Sequence, residues 1–182
     1  MMSEHYLYHY YESERGSFAN LSSLSDEMAQ KVINDLKRDS RLFASQRSET
    51  YLTIRREVES TARALFIMKG GKPINHYPHN MTLGPCHWIK DWYRNGQELK
   101  IAMDEFEDQS ISFTYGDLFP TMRYKDGKPY RGNVYTKPEI LDLIQQYGFP
   151  QEWNADGSHG PERYIEVQIW DETIIGKYKG WK

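Results

Sequence analysis

The segment of residues 163–170 carries the pattern that most constrains what this chain can fold into. Ile165, Val167 and Ile169 alternate with polar residues, and alternate residues of a β-strand point to opposite faces of a sheet. The segment therefore predicts a strand with one aliphatic face. The other face carries a mixture of polar and aromatic side chains: Tyr164, Glu166, Gln168 and Trp170.

Other segments add strands to this one. Residues 6–11 are rich in tyrosine, which favours extended structure. Residues 99–103 and 111–115 place apolar side chains at alternate positions, as half-buried strands do. Residues 41–45 are a candidate for a further short strand. Residues 72–85 contain three prolines and two asparagines, so we expect this stretch to be largely loop.

Two helices are expected before residue 70. Ser25 is a suitable N-cap, and the apolar residues after it recur at helical spacing to about residue 38. Residues 49–68 form a longer helix, which Gly70 and Gly71 end. The charged residues of the longer helix are expected on its flank, away from the apolar side, where they can pair with one another: Arg55, Arg56, Glu59 and Arg63.

A third helix has the clearest local signature in the chain. Thr136 is followed three residues later by Glu139, which is a capping box, and Pro138 occupies the first turn. An apolar run follows, and Gly148 supplies a stop. Strands and helices therefore do not alternate strictly along the chain. This order predicts an α+β fold in which a mixed, largely antiparallel sheet packs with about three helices in a single domain covering residues 1–182.

Composition narrows the classes of function. The chain has 23 basic and 26 acidic side chains and a net charge of −3, which argues against general binding to the nucleic-acid backbone. No segment has the apolar length of a membrane span, and the N-terminus lacks the pattern of a signal peptide, so cytoplasmic residence is expected. Cys86 is the single cysteine, so an intramolecular disulfide is excluded.

Aromatic residues are abundant, with 14 Tyr, 7 Phe and 5 Trp. They indicate either a core built from tyrosine or a cleft lined by aromatic rings. A cluster of potential metal ligands also occurs between residues 76 and 87: His76, His79, Cys86 and His87. Its spacing matches no standard zinc motif and lacks a second paired half, so we predict no metal site and expect capping or surface histidines and a buried thiol.

Glu166 is the principal candidate for chemistry. One interpretation places its carboxyl on an exposed sheet face or in a salt bridge with an arginine. The other places it in a cleft between aromatic rings, where it would act through hydrogen bonding or electrostatic stabilisation. Ser112 and Thr114 share one face of their strand. The simplest interpretation is that this face is exposed to solvent. His9 lies within the tyrosine-rich strand, where a structural role is the simpler interpretation.

Several blocks together resemble a family of bacterial proteins of unknown activity, over nearly the whole chain. Those blocks are residues 9–12, 43–45, 70–73, 111–117, 150–154 and 160–168.

A second, more distant resemblance is to ADP-ribosyltransferases. Those enzymes carry a His or Arg on an N-terminal strand, a Ser or Thr on a central strand and a catalytic Glu on a late strand. His9, Ser112 or Thr114, and Glu166 occur here in that order. The resemblance implies that Glu166 is catalytic and that His9, Ser112 and Thr114 contact NAD as a substrate. The chain departs from the arginine-modifying class at Tyr164, where that class has a second Glu or Gln.

Two hypotheses of function follow from these observations. The first is a small NAD-dependent transferase of the ADP-ribosyltransferase kind. The second is a non-catalytic module that binds a protein partner or a ligand through an aromatic-rich surface. The surroundings of Glu166 distinguish them, because an open, solvated sheet face around this carboxyl would favour the module.

Overall fold

The computed structural model describes residues 5–40 and 43–181. Five strands form one sheet: β1 (Tyr6–Glu12), β2 (His79–Leu83), β3 (Gly96–Ala102), β4 (Ile111–Thr114) and β5 (Ile165–Ile169). Three long helices are present: α1 (Asp26–Lys37), α2 (Tyr51–Met68) and α5 (Lys137–Tyr147). The described residues also form four short helices: α3 (His87–Lys90), α4 (Leu118–Arg123), α6 (Pro150–Trp153) and α7 (Glu172–Ile175).

The strand order in the sheet is β3-β1-β2-β5-β4, and every neighbouring pair is antiparallel. The predicted α+β class is therefore confirmed, and the three long helices lie where the sequence predicts them. The short helices make the helix count higher than expected, because segments of four to six residues lack a detectable apolar period.

Two segments differ from the expectation. Residues 79–83, which were expected in a loop, form β2 at the centre of the sheet, with Met81 and Leu83 buried. The prolines in the surrounding stretch led to the expectation of a loop, but none of them lies within the strand itself. Residues 41 and 42 of the candidate strand lie outside the described residues, and Phe43–Gln46 forms a 3₁₀ helix rather than a strand.

The aliphatic face of the sheet forms the main core. Leu7, Leu83, Phe113 and Val167 contribute to it from four neighbouring strands, and α5 covers it with Ile140. The helix begins at the predicted capping box, in which the Glu139 carboxylate accepts a hydrogen bond from the Thr136 N–H at 2.8 Å. Capping therefore places the first turn of α5 directly against the core.

On the opposite face of the sheet, α3 packs Ile89 against Tyr10 of β1, and α2 and α4 pack together beside the end of β5. α2 packs Ala62 and Phe66 against Leu118 and Trp170. α1 packs against the start of α2 through a separate apolar cluster that includes Ala29 and Ile33. Because the strands bear polar residues on this face, the apolar contacts lie at its margins and leave a polar region between them. None of the helices in the described part of the chain is long and apolar enough to cross a membrane.

We expect the packing of α5 against the core to contribute more to the free energy of unfolding than its N-terminal cap does. Ile140→Ala should lower the free energy of unfolding by about 2–5 kcal/mol, because it leaves a cavity in the main core. Thr136→Ala should lower it by about 1 kcal/mol through loss of the cap. Denaturant unfolding of both variants measures the difference. Equal losses would show that the helix stabilises the fold mainly through its cap.

Candidate functional site

A cavity of about 680 Å³ lies beside the sheet and is lined in part by the neighbouring strands β1 and β2. β1 pairs with β3 along all seven of its residues, but it pairs with β2 only at Leu7↔Leu83 and Tyr8↔Thr82. Residues of α1 and α2, together with the segment 117–119, form the remaining walls. This volume is within the range of pockets that hold cofactor-sized ligands.

His9 spans the gap between the two strands. Its Nε2 accepts a hydrogen bond from the Phe18 N–H at 2.9 Å, so the ring proton lies on Nδ1, which contacts the Asn80 carbonyl oxygen at 3.2 Å. The ring also stacks on Phe18, with centroids 4.0 Å apart. Burial lowers the pKa of His9 to about 4, so the ring is neutral. Both ring nitrogens are thus engaged in holding the cavity wall.

Glu166 lies on the cavity wall at the centre of β5, and its side chain is only 4% exposed. Burial, followed by the nearby charge of Asp117, raises the pKa of its carboxyl to about 8. One carboxyl oxygen accepts from the Leu118 N–H at 3.0 Å, and the other accepts from Gln168 Nε2 at 3.3 Å. The surroundings therefore favour the protonated form of this carboxyl more than water does.

A buried hydrogen-bond network on β4 and β5 supports Glu166. Gln168 Nε2 also donates to Thr114 Oγ1 at 3.1 Å, and Ser112 Oγ donates to Gln168 Oε1 at 2.8 Å. The Trp170 indole in turn donates to Ser112 Oγ at 2.9 Å. Ser112 and Thr114 are fully buried, and they do not line the cavity. They orient Gln168, which orients Glu166.

A second carboxyl group approaches from the turn after β4. Asp117 caps α4 by accepting from the Phe119 N–H at 2.8 Å, and it accepts from the Tyr164 hydroxyl at 2.6 Å. Gly116 makes this turn possible, because its φ of +115° is strained for residues with a side chain. The turn therefore places both the Asp117 carboxyl group and the Leu118 N–H close to the Glu166 carboxyl group.

A third carboxyl group, that of Glu59, enters from α2. It was expected on a charged flank of the helix, but its side chain is 1% exposed and lines the cavity. Arg55 Nε donates to Glu59 Oε1 at 2.9 Å. The helical spacing could have predicted this burial. Glu59 precedes the buried Ala62 and Phe66 by three and seven residues, so all three lie on one face of the helix.

Aromatic and basic side chains complete the walls. Tyr51 and Phe119 stack with their centroids 5.3 Å apart, and the Arg47 guanidinium lies 4.2 Å from the centroid of the Tyr51 ring. Lys179 also lines the cavity. The cavity therefore combines flat apolar surfaces, buried acids and cationic groups.

The histidine and cysteine cluster is dispersed in the fold. His79 Nε2 lies 3.1 Å from Glu172 Oε1, while the Cys86 thiol is buried beside Tyr10 and Tyr164. Within residues 5–40 and 43–181, no group of three or more His, Cys, Asp or Glu side chains is placed to hold a metal ion. These residues serve packing and pairing in the structure.

Of the four residues singled out by sequence, Glu166 and His9 line the same cavity, while Ser112 and Thr114 lie behind it. The assignment of His9, Ser112 and Thr114 to NAD and of Glu166 to catalysis stays a prediction.

Comparisons with protein-family models, with curated proteins and with solved structures find no match.

The raised pKa of Glu166 makes a prediction about stability. Between the unfolded pKa near 4.5 and the folded pKa of about 8, the native state holds a proton that the unfolded state has released, so stability falls as pH rises through this range. Glu166→Gln, which cannot ionise, should gain stability relative to the natural chain between pH 5 and pH 9. The gain should be on the order of 2–4 kcal/mol.

Denaturant unfolding at the two pH values measures this gain. Glu105→Gln is the control, because Glu105 is exposed and lies outside the cavity, so its substitution should leave the pH dependence unchanged. A constant difference between Glu166→Gln and the natural chain at both pH values would show that Glu166 is ionised in the fold at pH 5.

Proposed function

We propose that the protein binds NAD in the cavity and transfers its ADP-ribosyl group, with Glu166 as the catalytic carboxyl group. One observation carries the proposal. Glu166 and His9 lie far apart in the sequence and belong to β5 and β1, yet both line one cavity of cofactor size. These are the residues that the resemblance to ADP-ribosyltransferases assigns to catalysis and to NAD.

The charges on the wall suit the reactive end of NAD. Nicotinamide in NAD is a cationic ring, and a cation beside Glu166 favours the ionised form of this carboxyl. Asp117 and Glu59 add negative charge nearby, since both contribute to the raised pKa of Glu166. NAD binding would therefore release the proton from Glu166 and generate a carboxylate.

That carboxylate supplies the chemistry that the reaction requires. The bond between C1′ of the ribose and the nicotinamide nitrogen breaks, and nicotinamide leaves with the electron pair. Positive charge then develops on the ribose in an oxocarbenium-like transition state, which a fixed carboxylate stabilises. A nucleophile forms the new bond to C1′. Ser112 and Thr114 act in this scheme by positioning Gln168 and, through it, Glu166.

The remaining walls suit the rest of the dinucleotide. Tyr51 and Phe119 offer flat surfaces for a planar ring. Arg47 and Lys179 bring positive charge to the cavity, and cationic side chains form strong hydrogen bonds with phosphate oxygens. The stacked ring of His9 shapes the wall between β1 and β2.

A second candidate is ligand binding without turnover. It is favoured by the raised pKa of Glu166, because a neutral carboxyl group donates a hydrogen bond rather than stabilising positive charge. The two candidates differ in one measurable respect. A binding module would retain NAD intact, whereas a transferase would release nicotinamide.

NAD should raise the melting temperature of the protein, and nicotinamide should appear in the mixture over time. Glu166→Gln should lower the rate of nicotinamide release about 100-fold or more through loss of the carboxylate. Its affinity for NAD, measured by calorimetry, should change little. Glu105→Gln serves again as the control and should match the natural chain in both measurements.

The pH dependence gives a further check. Because Glu166 must be ionised, kcat/KM for NAD should rise with pH and level off above about 8, the pKa in the free protein. The corresponding rise in kcat should lie at lower pH, because bound NAD lowers the pKa of this carboxyl. Binding without release would favour the module, and no thermal shift with NAD at millimolar concentration would exclude both NAD roles.

A further inference from the structure

Glu59 has a buried oxygen atom without a hydrogen-bond partner. Oε1 of its carboxylate accepts from Arg55 Nε at 2.9 Å, but Oε2 has no partner among the described residues. The side chain is 1% exposed and belongs to the wall of the cavity. An unpaired carboxylate oxygen is costly to bury, so this atom points to a hydrogen-bond donor that arrives with a ligand.

A second unpaired acceptor lines the cavity from β2. Asn80 Oδ1 is also buried without a partner, and Asn80 lines the cavity. The register of β2 and β5 pairs Asn80 with Gln168 and Thr82 with Glu166. Asn80 is therefore the diagonal neighbour of Glu166, within about 7–8 Å between backbone positions. The region of Glu166 thus offers two acceptors that a group with two hydrogens could satisfy.

We propose that Glu59 and Asn80 bind the nucleophile that receives the ADP-ribosyl group, and that Glu59 is the general base that deprotonates it. This inference rests on the proposed function. The expected acceptor carries two hydrogens on its nucleophilic atom, as an uncharged primary amine does, and water takes its place when no amine is present. Arg55 donates a hydrogen bond to Glu59 Oε1, so Oε2 is available to accept the proton of the nucleophile.

The step balances without a further reactant. The acceptor atom bonds to C1′ of the ribose while its hydrogen moves as a proton to Glu59 Oε2. The bond from C1′ to nicotinamide breaks, and nicotinamide leaves with the electron pair. The products are the ADP-ribosylated amine, nicotinamide and one proton, which Glu59 passes to solvent. Glu166 stabilises the ribose cation, and Glu59 activates the nucleophile, so the two acids have separate roles.

The test compares Glu59→Gln with Glu57→Gln, a control on the exposed side of the same helix. Two nucleophiles are supplied with NAD: methoxyamine, an uncharged primary amine at neutral pH, and azide, an anion that needs no deprotonation. Product formation and nicotinamide release are followed by mass spectrometry. Glu59→Gln should slow the reaction with methoxyamine about 100-fold, which is a typical loss on removing a general base.

The azide reaction distinguishes a general base from a residue that only maintains the shape of the cavity. Loss of a general base should slow only the reaction that requires removal of a proton. Glu59→Gln should react with azide within about threefold of the natural rate, because no proton has to be removed. Glu166→Gln should be slow with both nucleophiles. Asn80→Ala should slow the methoxyamine reaction about tenfold and leave the azide reaction unchanged, and it keeps the test available if Glu59→Gln does not fold.

The outcomes separate the two proposals. If the natural chain neither binds NAD nor releases nicotinamide, the proposed function fails and the role of Glu59 fails with it. If the natural chain is active and Glu59→Gln matches Glu57→Gln, the role of Glu59 alone is overturned. Equal slowing of the methoxyamine and azide reactions in Glu59→Gln would also overturn it, since that pattern marks a distorted cavity.

Discussion

The hydrogen bond from the Leu118 N–H to the Glu166 carboxyl group is the interaction on which the rest of the site depends. A carboxyl group at the centre of a covered sheet loses its hydration and must find partners in the protein. One partner comes from the turn that follows β4, and the other is Gln168 on the same strand. Each partner is itself held, Gln168 by Ser112 and Thr114 and the turn by the cap that Asp117 places on α4.

This arrangement links the site to the fold. Ser112 lies opposite Gln168 and Thr114 lies opposite Glu166 in the pairing of β4 with β5. A shift of one residue in that pairing would carry the hydroxyl groups to the aliphatic face and leave both polar side chains of β5 without partners. The polar network therefore specifies the register, while the aliphatic face supplies most of the apolar burial.

The cavity is lined by residues of both β1 and β2, which pair over only two residues and then separate. His9 bridges the opening through Nδ1, which contacts the Asn80 carbonyl oxygen of β2, while Nε2 accepts from the Phe18 N–H, and its low pKa keeps the ring neutral. Among the acids that line the cavity, Glu166 and Asp117 have hydrogen-bond partners on both carboxyl oxygens, whereas Glu59 has a partner on only one. Burial raises the pKa of Glu166, and Glu59 Oε2 is buried without a hydrogen-bond partner. Such unsatisfied polar groups are maintained at functional sites, because the ligand completes their hydrogen bonds.

The sequence alone determined the α+β class, the three long helices and four of the five strands, because each of these depends on local periodicity and caps. The alternation around Glu166 also singled out an acid that is buried at the cavity wall, and the capping box at Thr136 marked the start of α5. The tertiary structure decided the rest. β2 is a strand because its neighbours supply hydrogen bonds on both sides, although its own residues lie in a proline-rich stretch. Glu59 and Asp117 join Glu166 only because a helix and a turn pack over the sheet. Such proximity has no local pattern in the sequence, since it depends on contacts between distant segments.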